Sequence, residues 1–461
     1  MKNYRRIAGV VGAGVLSAVM CAAQQMPPAS TEAPKADPQT QAVQPYAPLY
    51  QGQSNAAAEA KPVPDSRPLS GILGLTLGSL SEAQNTFTPS FRFGQAFDSN
   101  PGIFGSQSNF TGESSFGGSL NLHRAGARQA LDITYSGGAV VYDDSSYQTS
   151  FHSLNLAQMF STGRWTLTLT DALNYSPQGS LGAGLGLNNY GSGSVGLTAM
   201  NLSLTPNQGI YTPLSRQLAN TVGGQIQYGL SPRSSWTVGV TYGNLIYPDV
   251  DFQNTHQINA RTGYNRNWTA KDTVSVFYEY GVYRGGSGDL GTNSHSIQLA
   301  YARRVTGRLT WSASGGPQIS QYGGSSDLAV GGIFSTSLQY QRGRTGLNLG
   351  YNHGVSQAII GGSTTDSLQV GVDRRVTRRW SVGVNGGFSR NAQLVGATEV
   401  RSGFAGAQVQ RSLGQRSSVY FNYGFQRQIS DGACAATICT GLSRQVFGFG
   451  FNWTPRTWIL R

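Results

Sequence analysis

The sequence is short of charge and of long apolar runs. Charged residues make up 12% of the 461 residues and hydrophobic residues 38%, and this charged share is about half that of ordinary soluble domains. After the first two dozen residues, no apolar run approaches the roughly 20 residues that a membrane-spanning helix needs. The 62 Gly follow no three-residue period, and 22 Tyr and 19 Phe accompany them, which excludes collagen-like and wholly disordered chains. What remains is an all-β chain of the transmembrane-barrel type.

Recognisable catalytic and metal-binding motifs are also lacking. The chain has 3 Cys and 5 His, with no H-E-x-x-H, no G-x-S-x-G and no Cys/His metal spacing. Four histidines are expected near the outer ends of separate strands: His152, His256, His295 and His353. Ser294 beside His295 leaves a barrel hydrolase as an alternative, although serine is too abundant for this adjacency to be specific. We therefore predict no enzyme, no metal and no cofactor.

The first 23 residues have the form of a secretory signal peptide. A basic start at 2–6 precedes an apolar stretch at 7–20 and small residues at 21–23, which is the pattern of a cleaved export signal. The alternative is a lipidated Cys21, which the bulky Met20 before it disfavours. The sequence thus predicts export from the cytoplasm.

Residues 24–70 differ in composition from the rest. They hold nine of the 18 prolines, among Ala and Gln and with few large apolar side chains. Such a segment buries too little apolar surface to offset its ordering entropy. We expect a disordered periplasmic tail; the alternative is a tether to a periplasmic partner or to peptidoglycan.

From about Asn85 onward, short segments alternate apolar and polar residues. In 380–388, for example, Trp380, Val382, Val384 and Phe388 fall on one face. The opposite face carries Gly, Ser and Asn rather than the Lys and Glu of a soluble sandwich, as expected for a wet barrel interior. Each alternating segment is therefore predicted to be a membrane-crossing strand.

Short basic turns alternate with longer loops along this region. Basic residues recur at positions 233, 271, 308, 344, 379 and 416, 35 to 38 residues apart, which is the length of one hairpin. Tryptophans follow such turns closely, as in an interfacial belt: Trp165, Trp236, Trp311 and Trp380. The prediction is a transmembrane antiparallel up-and-down β-barrel of the bacterial outer-membrane type, with about 18 strands over residues 85–454 and its short turns facing the periplasm.

The polar face of these strands is predicted to line the lumen. Its amide side chains are Gln225, Gln227, Gln257, Asn259, Gln298, Gln339, Asn348, Gln369, Asn385, Gln408, Asn422 and Gln426. Amides both donate and accept hydrogen bonds, which suits hydroxyl-rich solutes, although any wet barrel needs an uncharged polar lining. Three charged residues are expected inside, namely Arg261, Glu279 and Asp373, so ion selectivity should be weak.

Three further features remain. Cys434 and Cys439 lie in the loop 431–440 and are predicted to form a disulfide in an oxidising envelope. The glycine-rich interruption 177–216 is hypothesised to fold into or over the channel; the alternative is a mobile surface loop. Asp171 falls on the lipid-facing register, so its strand either leaves the hydrocarbon there or changes register.

The segment FRFGQAFDSNP at 91–101 resembles the opening strand of outer-membrane β-barrel proteins that accompany exopolysaccharide secretion systems. The repeated basic turn, followed by Trp and an alternating strand, is also similar. The resemblance covers about residues 85–454, supplies no catalytic residue, and implies an outer-membrane barrel that serves polysaccharide export.

We therefore predict an outer-membrane channel for saccharides or exopolysaccharide. The alternative is a non-conducting surface barrel acting as a receptor, adhesin or structural anchor. Expected partners are outer-membrane lipid, the outer-membrane assembly machinery, and polysaccharide or periplasmic export proteins. Nucleic acid is not expected despite the net charge of +12, because much of the surplus is Arg in the short turns, which favours anionic lipid or an acidic partner.

Overall fold

The structure is a computed structural model that describes residues 85–100, 110–126, 128–143, 148–176, 216–248, 254–285, 291–322, 328–358, 361–393, 398–431 and 442–460. Four sequence predictions lie outside these residues: the signal peptide 1–23, the tail 24–70, most of the interruption 177–216, and the loop with Cys434 and Cys439. No helix long and apolar enough to cross a membrane occurs among the described residues.

Eighteen long strands and one short strand follow one another along the chain. They are β1 (Asn85–Asp98), β2 (Thr111–Ala125), β3 (Gln129–Tyr142), β4 (Gln148–Thr162), β5 (Trp165–Ser176), β6 (Gln217–Ser231), β7 (Ser234–Ile246), β8 (Thr255–Asn267), β9 (Asp272–Gly285), β10 (Thr292–Thr306), β11 (Leu309–Tyr322), β12 (Leu328–Arg342), β13 (Thr345–Ala358), β14 (Gly361–Arg375), β15 (Trp380–Gln393), β16 (Glu399–Ser412), β17 (Ser417–Asp431), β18 (Leu442–Trp453) and β19 (Trp458–Leu460).

The strands close into a barrel. Each strand pairs antiparallel with the next, and β1 pairs with β18 from Phe91↔Trp453 to Asp98↔Val446. The short β19 continues the line of β18 along the first residues of β1, with Phe87 opposite Trp458. Closure leaves the first and last strands without a free edge, as a sheet surrounded by hydrocarbon requires. The predicted antiparallel 18-strand barrel is confirmed.

The two faces of the wall differ in chemistry. Large apolar side chains are exposed on the outside, for example Phe91, Trp165, Ile226, Leu299 and Phe449. Buried polar side chains dominate the inside, among them Ser294, Gln298, Asn385 and Gln426. This inverts the pattern of a soluble protein and matches a barrel whose outer face contacts lipid. The chain is therefore an outer-membrane barrel.

The two ends of the barrel also differ. At one end, connections between strands are two to four residues long, as at Gly163, Gly343 and 232–233. Gly163 and Gly343 have φ of 56°, a left-handed conformation in which tight turns favour glycine. At the other end most connections are longer, up to the 40 residues between β5 and β6. In bacterial barrels the short turns face the periplasm and the long loops face outside.

One seam in the wall is only partly paired. β12 pairs with β13 from Phe334↔His353 to Arg342↔Thr345, whereas its outer part, 328–333, has β11 as its strand partner. Val330 in this part is 77% exposed. Pro317 on β11, opposite Gly332 of this part, supplies no backbone N–H. The outer parts of β12 and β13 therefore separate.

Candidate functional site: the inward face of the barrel

The inward face gathers amide side chains from many strands. Because side chains alternate along each strand, the cross-strand register places every predicted lining residue on the face opposite the exposed large apolar side chains. Pairs that meet directly across strands are Gln339↔Asn348 and Gln408↔Asn422. The arrangement forms a hydrogen-bonding surface that follows the whole interior.

Some of these amides are held by hydroxyl groups. Gln318 Nε2 donates to Ser294 Oγ at 2.7 Å, and Gln227 Nε2 donates to Ser235 Oγ at 2.9 Å. Others keep hydrogen-bonding capacity: within the described part of the chain, both amide atoms of Asn259 and the Oε1 atoms of Gln339 and Gln426 have no partner. Enclosed polar atoms without partners are costly. They are therefore the groups that a solute hydroxyl or water in the lumen would satisfy.

Two predicted charged residues, Arg261 and Glu279, come together on neighbouring strands. Arg261 on β8 lies opposite Glu279 on β9, and its guanidinium carbon stands 3.4 Å from the ring centroid of Phe277. Gln298 on β10 donates to Glu279 Oε2 at 3.4 Å. A cation above an aromatic face with a carboxylate opposite is held in place and largely compensated. The third predicted charge, Asp373, lies inward near the short-turn end, opposite Gly383.

The expectation of only three inward charges was wrong, since a second cluster lies at the closing seam. Arg444 on β18 contacts Asp98 on β1 through Nε at 2.8 Å and also through Nη2. The two side chains are 1% and 0% exposed. Glu113 on β2 lies inward beside this pair, opposite Ala96, and is buried. Asp98 and Arg444 are 346 residues apart in sequence, so only barrel closure brings them together.

Other charged residues on the inward register were also missed. Arg92 on β1 donates from Nε to Asn452 Oδ1 at 3.0 Å. His123 Nδ1 and Asp132 Oδ1 are 2.6 Å apart on β2 and β3. The parity of the strands would have identified these residues as inward, because each occupies the polar register of its strand.

The interior narrows where β13 approaches β9. Cα atoms of these two strands come within 8 Å of each other although three strands separate them in the wall. Near the outer end of β13, the backbone N–H of Val355 donates to Gln318 Oε1 on β11 at 3.3 Å. The outer part of β13 therefore leans inward at the seam that β12 leaves unpaired.

The four strand-end histidines do not converge. Three of them contact a tyrosine hydroxyl on the neighbouring strand through Nδ1, at 2.9, 3.3 and 2.7 Å: His152, His256 and His295. The fourth, His353, lies 2.7 Å from Asp366 Oδ1. All four are on the outward register, so His295 points away from the inward Ser294 and cannot act as its base. No group of three or more metal-ligating side chains occurs among the described residues.

Asp171 keeps the lipid-facing register. It lies between Leu156 on β4 and Val222 on β6 without a shift in the pairing. Its Oδ1 accepts a hydrogen bond from Asn220 Nδ2 at 2.8 Å. A change of register is therefore excluded, and the carboxylate is satisfied by a polar neighbour on the same face.

Comparison with known proteins found no matching family model and no matching curated protein. Among solved structures, OccK2 (OpdF) of Pseudomonas aeruginosa, solved with glucuronate, is 10% identical with a TM-score of 0.42, over 81% of this chain and 98% of its own. OpdK of Pseudomonas aeruginosa, solved with vanillate, is 11% identical with a TM-score of 0.42, over 81% and 99%. A BenF-like porin from Pseudomonas fluorescens Pf-5 is 9% identical with a TM-score of 0.43, over 82% and 100%.

Proposed function

We propose that the barrel is an outer-membrane channel for small, uncharged, hydroxyl-rich solutes, with saccharides as the substrate class. The observation that carries this proposal is the inward face itself, on which amides and hydroxyls outnumber charged and apolar side chains. The described strands contribute such groups on all sides of the interior, from Gln227 on β6 to Asn452 on β18.

The lining suits passage rather than tight binding. A sugar hydroxyl both donates and accepts, and so does each amide, so a sugar can exchange one partner for the next along the wall. Conduction requires several weak sites in series instead of one strong site. Asn259, Gln339 and Gln426 lie on β8, β12 and β17 with unsatisfied amide atoms, and these provide such sites on different sides of the interior.

A non-conducting surface barrel is the second candidate function. The approach of β13 to β9 and the inward lean at Val355 favour it, because a narrowed interior could stop all flow. In that case the loops would act as a receptor, an adhesin or an anchor. The two candidates differ in one measurable property, which is the permeability of a membrane that contains the barrel.

Swelling of proteoliposomes in iso-osmotic sugars tests the proposal. We expect uptake of a pentose, a hexose and a disaccharide at rates that fall with the size of the sugar. A longer linear oligosaccharide is then added, since its uptake would indicate passage of polymer as well as of small sugars. Absence of swelling in every sugar, together with no conductance in a planar bilayer, would reject the channel in favour of the surface barrel.

Substitutions in the lining test whether the amide side chains control the sugar flux. We expect Asn259→Leu combined with Gln298→Leu to lower the sugar flux roughly several-fold, because each change removes hydrogen-bonding capacity from the wall. The matched control exchanges the two amides, Asn259→Gln with Gln298→Asn, and should keep the flux within about twofold of the original. Equal loss in both variants would show that packing, not hydrogen bonding, controls passage.

A further inference from the structure

Six even-numbered strands each carry an outward-facing arginine near the end that lies at the short-turn rim of the barrel. We call this set the arginine ring, and its members are Arg124, Arg266, Arg303, Arg342, Arg374 and Arg411. All six side chains are exposed. Among the described residues, Arg303 has a carboxylate partner, Asp272 Oδ1 at 3.6 Å, and the other five have no ion pair. The ring is therefore positive and largely uncompensated.

The register places this ring on the lipid side of the wall. Arg411 lies opposite the outward Trp380, with its guanidinium carbon 5.2 Å from the indole ring. Arg303 lies opposite Trp311 in the same way. Tryptophan belts mark the level at which hydrocarbon meets headgroups. The guanidinium groups thus stand at the level of the lipid phosphates instead of projecting into the periplasm.

Six of the arginines at the tips of the short turns form a second set, matched in number to the ring. These are Arg128, Arg164, Arg233, Arg308, Arg344 and Arg416, and all are exposed. They carry the same total charge as the arginine ring but lie beyond the strand ends, where they meet the aqueous periplasm. The two sets separate the effect of position from the effect of net charge.

We propose that the arginine ring binds the phosphate groups of anionic phospholipid in the periplasmic leaflet of the outer membrane. A guanidinium offers paired N–H groups that match phosphate geometry and is weakly hydrated, so it suits an interfacial phosphate site. Basic residues next to a membrane surface attract anionic lipid over a range set by the Debye length. A soluble acidic protein would instead meet the arginines at the turn tips.

Quenching of intrinsic fluorescence by brominated lipid tests this proposal directly. All seven Trp of the chain lie in or next to the short turns or near the short-turn ends of strands, including Trp268 and Trp458. The barrel is placed in phosphatidylcholine nanodiscs that contain a minor fraction of phosphatidylglycerol. Bromine is carried by the phosphatidylglycerol in one sample and by an equal fraction of the phosphatidylcholine in the other. We expect at least about threefold stronger quenching by brominated phosphatidylglycerol at low salt, and the excess should decline as salt is added.

Two variants that remove the same number of positive charges then show which arginines bind the lipid. Replacement of all six ring arginines by Gln should abolish the excess quenching, whereas replacement of the six turn-tip arginines by Gln should leave it. Equal loss in both variants would overturn the proposal, because it would mean that net charge alone attracts the lipid. Capture of an acidic protein partner that depends on the turn tips, without excess quenching, would also overturn it.

The wild-type chain keeps the proposal testable if the six-fold ring variant does not fold. Equal quenching by the two brominated lipids in the unmodified barrel would by itself reject preferential binding of the anionic headgroup. Arg411→Gln alone offers a milder variant, since it removes one ring member beside Trp380, and we expect a partial loss of the excess.

Discussion

At the scale of single residues, the ion pair at the closing seam is notable because both of its side chains are buried. Arg444 and Asp98 are 1% and 0% exposed, and they connect the last long strand to the first. A buried pair adds little stability compared with an apolar pair of the same size, but loss of one partner leaves an uncompensated charge. Loss of either partner should therefore destabilise the closed barrel at this seam.

Replacement of Arg444 by Leu should destabilise the barrel strongly. We expect a loss of about 3–5 kcal/mol in the free energy of unfolding, because Asp98 would remain buried without its partner. Equilibrium unfolding in denaturant, followed by Trp fluorescence in detergent or lipid, measures this loss.

The matched control is Arg427→Leu, an exposed outward arginine on the neighbouring β17, which should cost less than about 1 kcal/mol. The double variant Asp98→Leu with Arg444→Leu should recover part of the loss. Equal effects of R444L and R427L would contradict a special role for the seam pair.

At the scale of elements, the outer part of β12 departs from the regular ladder. Residues 328–333 pair with β11 but not with β13, and a Cβ added at Gly331 would have no atom within 4 Å. On β11, by contrast, a Cβ at Gly316 would overlap the carbonyl oxygen of Ile297. Only glycine allows the backbones of β10 and β11 to approach so closely.

Backbone amide exchange should detect the partly paired seam. We expect amides in 328–333 to exchange at least about tenfold faster than those in the outer part of β16, 399–404, because the latter pairs on both sides. Hydrogen exchange with mass spectrometry on the reconstituted barrel provides the comparison. Similar rates in the two segments would show that β12 and β13 are joined in solution.

The alternation within each strand made most elements predictable. The faces of 380–388 and the outward aromatics at the end of β18 follow from residue order alone, because side chains alternate regardless of their neighbours. The partial pairing of β12 does not follow from residue order, since Leu328 and Val330 keep the outward register of the rest of the strand. It depends on where β13 and β11 lie in three dimensions.

At the scale of the whole molecule, the interior charges occur mainly in opposed groups. Arg261 faces Glu279 on one side of the lumen, and Arg444 contacts Asp98 on the other. The sequence predicts that Arg261 and Glu279 both face inward, but it does not predict the contact of Arg261 with Phe277. The second was not predictable, because sequence order separates its partners by nearly the whole barrel.

Opposed charges should leave the channel nearly unselective. In a salt gradient across a planar bilayer, we expect a cation-to-anion permeability ratio within about threefold of one. Glu279→Gln should lower the cation-to-anion permeability ratio about twofold, because Arg261 would lose its compensating carboxylate. The reversal potential would shift accordingly toward anion selectivity.

Glu399→Gln is the control, since Glu399 faces outward and contacts Arg390 and Arg401. It should leave the reversal potential unchanged. A shift of equal size in both variants would mean that charges outside the lumen control ion flow.

Pairing of β1 with β18 also has a consequence for biosynthesis. The first strand is made long before its final neighbour exists, so its backbone donors and acceptors must be shielded throughout translation and transport. The entropic penalty for joining such distant segments grows only with the logarithm of their separation, so the long connection between them adds little to the free-energy cost of closure. A polypeptide truncated before Leu442 would retain a permanently open strand edge, and we expect envelope proteases to degrade it instead of the cell inserting it.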